Sequence, residues 1–294
     1  MLNSKALQQR FDSAMPLLYQ TDSRQLPKDL TQITQIVTQL IPDWVSEELS
    51  DFEFMSGGFS NDNYSFCRTT AGQQEKYVLR IPSVKQPFVD RSEEIKFYQT
   101  VSNPLGAKLI AFDADSGRMI TKWLEGLVLG DMSKDQYSDQ QLIEYVKSLQ
   151  SRLPDTDRRY DVSELAQLLS PNNGLHIPAV AAHVELVPCH NDLNPWNVIV
   201  SADGWKTLDW EFFGLNDPLF DLVALHQGLE LPDTRLWRLA GEFLAQDNEQ
   251  RLLDNLRRFW SREFAWADYQ IRAGNDREGI QQQWALSQEK LANF

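Results

Sequence analysis

The spacing of apolar positions changes character partway along the chain. From Leu30 onward, Ile33, Ile36, Val37 and Leu40 recur at helical intervals, and Pro42 closes the run. Residues 52–55, 63–68 and 77–81 are short, β-prone and set off by Gly57-Gly58 and by Thr70-Ala71-Gly72, so they predict strands. Residues 91–101 return to a helical pattern with Ile95, Phe97 and Tyr98 apolar. Two more strands follow at 107–112 and 118–123, joined at Asp115-Ser116-Gly117. Beyond Trp123 helices dominate. Ser138 caps a run carrying Leu142, Val146 and Leu149, further helices are expected at 162–169 and 178–186, and Asp217-Pro218 opens another with Asp217 as N-cap. Residues 1–29 predict a short helix and a loose arm. The pattern is α+β: a lobe at 1–121 built on a small antiparallel sheet with one main helix, then a larger, mostly helical lobe at 122–294.

One stretch interrupts the helical half. Residues 189–209 read CHNDLNPWNVIVSADGWKTLD, two β-prone runs around the turn Ala202-Asp203-Gly204. A hairpin centred on Asp203 makes Asn197 and Asp209 a cross-strand pair, both oxygens on one face within reach of a single cation. Asp192 precedes Asn197 by five residues, in a loop that Pro195 keeps from extending as a strand.

That spacing suits phosphoryl transfer. One carboxylate must accept a hydroxyl proton, while an amide oxygen and a second carboxylate hold Mg²⁺ against phosphates. His190, Asp192 and Asn197 resemble the His-x-Asp-x-x-x-x-Asn loop of the kinase fold, and Asp209-Trp210-Glu211 resembles its Asp-Phe-Gly segment. Further expectations come from the N-terminal half. Gly57-Gly58 lets backbone N–H groups approach a phosphate, with Ser60 and Asn61 beside it. Arg80 takes the place of the third-strand lysine, with Glu94 as its helix partner. Lys122, Trp123 and Leu124 form a connector whose backbone suits an adenine edge.

Charge narrows the substrate. Among 294 residues, 28 are basic and 42 acidic, a formal charge of −14 that repels nucleic acid and anionic membranes. If that acidity is focused near a cleft it favours a cationic small molecule; spread over the surface it serves solubility alone. The last 60 residues add aromatic rings, most of them core; Trp260, Trp266 and Tyr269, with Glu211 nearby, are the candidates for a cage around a quaternary ammonium. Two cysteines, Cys67 and Cys189, fit a reducing cytoplasm, and no run of 18 apolar residues suggests a membrane span.

On these residues the chain, from about 54 to about 273, resembles the choline/ethanolamine and thiamine kinases of the aminoglycoside phosphotransferase superfamily. The resemblance implies a two-lobed, protein-kinase-like fold using ATP and Mg²⁺. Asp192 would be the catalytic base, Asn197 and Asp209 the metal ligands, and Arg80 with Glu94 the phosphate-orienting pair. His190 and Asp221 would be structural, Asp221 tying down the catalytic-loop backbone, and the acceptor a small cationic alcohol. The loop reads His-Asn-Asp where the family has His-Gly-Asp or His-Arg-Asp. Two other classes compete: a nucleotide-binding regulatory protein, which has no need of the base, and a metal hydrolase using His183, His190 and Asp192, which leaves the glycine pair unexplained.

Overall fold

In the computed structural model, residues 29–55, 60–83, 86, 88–101, 105–244, 248–275 and 277–294 are described. The expected N-terminal arm and the glycines Gly57 and Gly58 lie outside them. Helix α1 (Leu30–Leu40) starts where the Asp29 carboxylate accepts the Thr31 N–H, and stops two residues before Pro42. Its buried Ile33 and Val37 lie on a five-stranded antiparallel sheet. The strands are β1 (Leu49–Met55), β2 (Asn61–Thr70), β3 (Gln73–Pro82), β4 (Leu109–Asp113) and β5 (Arg118–Lys122), in the order β1-β2-β3-β5-β4. Strand alternation sorts β3: Tyr77, Leu79 and Ile81 join Trp44, Tyr64, Phe66 and Ile120 in a core under α1. Arg80 therefore faces the other way.

On that other side lies α2 (Arg91–Thr100), its first turn capped by Asp90. Phe97 stacks on Trp210 at 4.1 Å and tilts against Phe213 at 4.9 Å, so this helix of the sheet lobe shares its core with the helical half. The chain beyond it passes so close that a Cβ at Gly106 would lie 1.9 Å from the Thr207 carbonyl oxygen; only glycine fits.

The helical half comprises α3 (Asp139–Arg152), α4 (Val162–Leu169), α5 (Leu219–Gly228), α6 (Asp233–Leu244), α7 (Glu249–Arg272) and α8 (Glu278–Leu291). Ser138 and Gln141 form a full capping box on α3, as the sequence suggests. Asp217 accepts the Leu219 N–H and so serves the start of α5. Among the described residues, no helix is long and apolar enough to cross a membrane.

Two expectations fail. Residues 178–186 form no helix. None of them is buried, so an apolar face has nothing to pack on. Pro188 also pulls Val187 into an extended conformation, where β7 (Val187–Cys189) pairs with β10 (Gly214–Asn216).

The second correction is the register of the hairpin. Strands β8 (Val198–Ser201) and β9 (Gly204–Thr207) pair Ser201 with Gly204 and Val198 with Thr207, around a two-residue turn of Ala202 and Asp203; β6 (Leu127–Val128) completes this sheet. Gly204, at φ 105°, takes the first strand position rather than a place in the turn. Asn197 consequently bonds to Leu208, whose N–H reaches the Asn197 carbonyl at 2.8 Å, and Asp209 is not its cross-strand partner.

Candidate active site

Asp192 sits in a loop fixed from three directions. His190 is buried, and its imidazole bridges two backbone groups: Nδ1 accepts the Asp192 N–H at 3.1 Å, which makes Nε2 the donor to the Leu208 carbonyl at 2.8 Å. The fully buried Asp221 accepts the N–H groups of His190 and Asn191 at 3.0 and 2.8 Å. Asn191 adopts φ 65°, a left-handed conformation that asparagine tolerates better than most residues. Its Nδ2 meets the carbonyls of Cys189, Phe212 and Gly214, while its Oδ1 accepts from Asn216 Nδ2. The asparagine in the loop signature thus supplies both a backbone geometry and four side-chain bonds, three of which tie the loop to the segment after Asp209.

The Asp192 carboxylate itself is held on both oxygens. Arg262 Nη1 donates to Oδ1 at 3.0 Å, and Asn197 Nδ2 donates to Oδ2 at 3.2 Å. Burial raises the Asp192 pKa above the usual aspartate range, against the pull of Arg262 and His190 and with help from Glu263 and Asp209. Sequence reasoning missed Arg262, a buried guanidinium on α7 that also holds the Asn191 carbonyl at 2.6 Å. No local pattern marks an arginine whose partner is 70 residues away.

A second group of charges hangs from Arg80. Its guanidinium takes both oxygens of the fully buried Glu94, at 2.7 and 2.8 Å, and reaches Asp209 Oδ1 at 3.1 Å. Burial disfavours the charge, but Glu94 and then Asp209 outweigh it and keep Arg80 well above its ordinary pKa. Burial likewise pushes Glu94 upward, and Arg80 with Arg91 more than reverses this. Asp209 has φ 62°, a strained backbone for a non-glycine residue of the kind that clusters at functional positions. That turn, rather than cross-strand pairing, orients its carboxylate.

Arg91 links this group to Glu211. One nitrogen, Nη1, bonds Glu94 and Glu211 at 2.7 Å each, and Gln86 Nε2 bonds the other Glu211 oxygen at 3.1 Å. Glu211 is buried, and burial with the adjacent Asp209 charge pushes its pKa up to about 8 despite Arg91 and Arg80. Neither Gln86 nor Arg91 stands out in the sequence.

Other expected positions divide. Asn61, at the start of β2, is buried with its Oδ1 unpartnered among the described residues, while the Ser60 carbonyl accepts the Ser83 N–H. In the connector, the Lys122 and Trp123 N–H groups are already spent on Lys108 and Lys76, and the Lys76 ammonium covers the Trp123 ring at 3.9 Å. Those two residues therefore have no N–H to offer an adenine. Trp260 is 5 % exposed, packs edge-on against Phe259 and has the Lys290 ammonium 5.6 Å from its ring, so it is core and not cage. Trp266 and Tyr269 are half-buried and lie four and seven residues beyond Arg262 on α7, along the same helical face.

No three His, Cys, Asp or Glu side chains form a metal-binding group among the described residues. Asn197 and Asp209 instead offer an amide oxygen and a carboxylate, a donor set that fits Mg²⁺, which keeps waters and phosphate oxygens in its shell.

Both the sequence and the fold match known proteins. Protein LicA of Haemophilus influenzae is 26% identical over 196 residues, covering 58% of this chain and 71% of that protein. A second LicA from Haemophilus influenzae is 28% identical over 215 residues, 65% of this chain and 60% of its own length. In fold, the choline kinase LicA from Streptococcus pneumoniae superposes with a TM-score of 0.67 at 16% identity, over 90% of this chain and all (100%) of that one. An aminoglycoside phosphotransferase solved with ADP and hygromycin B gives 0.59 at 14% identity, over 89% and 97%. The model of the phosphotransferase enzyme family matches residues 51–253, more than half of the sequence, and the chain belongs to that family.

Proposed function

We propose that this phosphotransferase moves the γ-phosphoryl group of ATP to the hydroxyl of a small cationic alcohol, of choline or ethanolamine type, in a cleft between residues 1–121 and 122–294. The observation that carries the reading is the double clamp on Asp192 by Arg262 and Asn197, beside an Asp209 that is held by the Arg80–Glu94 pair. The acceptor oxygen forms a bond to the γ-phosphorus, the bond from that phosphorus to the departing ADP oxygen breaks, and the hydroxyl proton passes to Asp192. Asp192 has the right setting for a base: its raised pKa makes it a better proton acceptor than an exposed aspartate, and both its oxygens are oriented. Arg80 faces the phosphates, and Glu94 sets the direction of its fork. Asn197 and Asp209 would hold Mg²⁺, which would neutralise phosphate charge.

The cationic acceptor is supported by the −14 formal charge, by Glu263 beside the base, and by Trp266 and Tyr269 along the α7 face that carries Arg262. Thiamine presents the same pair of features, a cationic nitrogen and a primary alcohol, and is the second candidate.

The test is a coupled assay of ADP release with choline, ethanolamine, thiamine, an aminoglycoside and a neutral sugar. Asp192→Ala should abolish transfer while ATP binding persists, and Asp209→Ala should weaken Mg·ATP binding as well. Full turnover in Asp192→Ala would remove the mechanism. Preference for the neutral sugar would remove the cationic acceptor alone.

A further inference from the structure

The clamp on Asp192 does not end at Arg262. The Phe259 and Phe220 rings stand 5.3 and 5.9 Å from the Arg262 Cζ, contacts that hold the guanidinium without choosing where its nitrogens point. Hydrogen bonds make that choice. Nη1 serves Asp192 and the Asn191 carbonyl, while Nε donates to Glu263 Oε1 at 2.9 Å and Nη2 donates to the same oxygen. Because both donors of that edge meet one oxygen, the carboxylate does not sit in a two-by-two fork. Its other oxygen turns to α8, where Gln283 Nε2 donates to Oε2 at 2.8 Å.

Four side chains therefore form one line of bonds, from Gln283 through Glu263 and Arg262 to Asp192. The inner pair is mostly buried, with the Arg262 and Glu263 side chains 8 % and 16 % exposed, so water competes little for these groups. A guanidinium shared by two carboxylates turns with whichever is free to move, and Gln283 removes that freedom from Glu263. Its helix is a firm support. Ile280 and Ser287 are buried, Trp284 stacks on Phe264 at 6.0 Å, and the Ser287 hydroxyl donates to the Gln283 carbonyl at 2.7 Å. A carboxylate oxygen only accepts, so the amide must present its NH₂ group; being neutral, it orients Glu263 without competing with Arg262 for its charge. Arg262, Glu263 and Gln283 all lie beyond residue 253, where the family match ends, so the shared segment alone does not supply this clamp.

We propose that Gln283 is a positioning residue for phosphoryl transfer: by fixing Glu263 it sets the direction of the Arg262 fork and, through it, the Asp192 carboxylate. This inference rests on the reading that Asp192 is the base. The nucleotide side has no part in the line, since Arg80, Glu94 and Asp209 are held by bonds of their own.

The experiment is a double-mutant cycle. Gln283→Met keeps the length and helix propensity of the side chain and removes its donor, and should lower kcat for the best acceptor about fivefold while the KM for ATP moves less than about twofold. In a Glu263→Met background there is nothing left for Gln283 to hold, so adding Gln283→Met should change kcat by less than about twofold. Gln283→Glu is the second variant. It matches glutamine in shape but sets two carboxylates against each other, so it should cost at least as much kcat as methionine, whereas a residue that only packs would tolerate it better. Full kcat in Gln283→Met, losses that multiply in the double variant, or wild-type kcat in Gln283→Glu would each overturn the proposal and leave Asp192 as the base. Full turnover in Asp192→Ala removes the base, and the role of Gln283 falls with it.

Discussion

Arg262 Nη1 stands 3.0 Å from Asp192 Oδ1 and 2.6 Å from the Asn191 carbonyl oxygen, so a single nitrogen on α7 holds both the base and the backbone before it. Burial already raises the Asp192 pKa, and Arg262 is the largest influence opposing that rise. Arg262→Met should lift it further. The acid limb of the kcat/KM profile would move to higher pH, and activity at pH 7 would fall about tenfold or more. Breaking a buried pair also costs about 3–5 kcal/mol of stability, so melting must be followed in parallel. Arg262→Lys keeps the charge but not the fork, and should restore part of the limb's position without full activity. An acid limb unmoved in both variants would remove Arg262 from the mechanism.

Asn191 separates backbone from side-chain effects. Asn191→Gly keeps the ease of φ 65° and loses the four side-chain bonds; Asn191→Ala loses both. We expect alanine to destabilise by about 2–4 kcal/mol and glycine by roughly 1 kcal/mol less, read from urea unfolding with constant m-values. Equal costs for the two would mean that the left-handed backbone carries no strain.

Much of this architecture is legible in local pattern, and the exceptions have identifiable causes. Helix α4 was predictable to the residue because Asp161 caps it and its apolar stripe is continuous; an Arg80–glutamate pair was expected from one cation in an apolar strand and Glu93 and Glu94 in the first turn of the helix, and burial selects Glu94. The hairpin register was misread by one residue because Gly204 can serve as turn or as strand, and only pairing decides between them. The helix expected at 178–186 failed because periodicity reports an apolar face but not whether anything packs on it. Arg262 and Asn191 act through partners distant in sequence or through backbone atoms, as Arg91 does toward Glu211, and neither leaves a trace in spacing.

Arg80 offers a direct test of the phosphate side. Its guanidinium meets Glu94 with two nitrogens and still reaches Asp209 at 3.1 Å, a division that a lysine's single ammonium cannot reproduce. Arg80→Lys should raise the KM for ATP about tenfold while leaving that for the acceptor within about twofold, because the lost interactions are on the nucleotide side. Initial-rate kinetics with each substrate varied in turn decides it. Equal increases in both KM values would mean that Arg80 supports the fold of the cleft and not the nucleotide in particular.

Glu211 carries a proton across a pH range in which an exposed glutamate does not. Its pKa stands near about 8 in the folded protein against an ordinary 4.5, so between these values the folded chain binds a proton that the unfolded chain has released. The sign follows: this contribution to stability is fully present below about pH 4.5 and is lost as pH rises through about 8. Glu211→Gln removes the titration and should flatten the fall in unfolding free energy between pH 5.5 and pH 8.5 relative to wild type. The same group distinguishes acceptors. A cation bound beside Glu211 favours its charged form, so binding a cationic alcohol at pH 7 should release a proton and tighten as pH rises toward 8, whereas a neutral alcohol should do neither. Calorimetry in two buffers of different ionisation enthalpy counts that proton. Its absence with a cationic acceptor in the wild type, or its persistence in Glu211→Gln, would show that the cation sits elsewhere in the cleft.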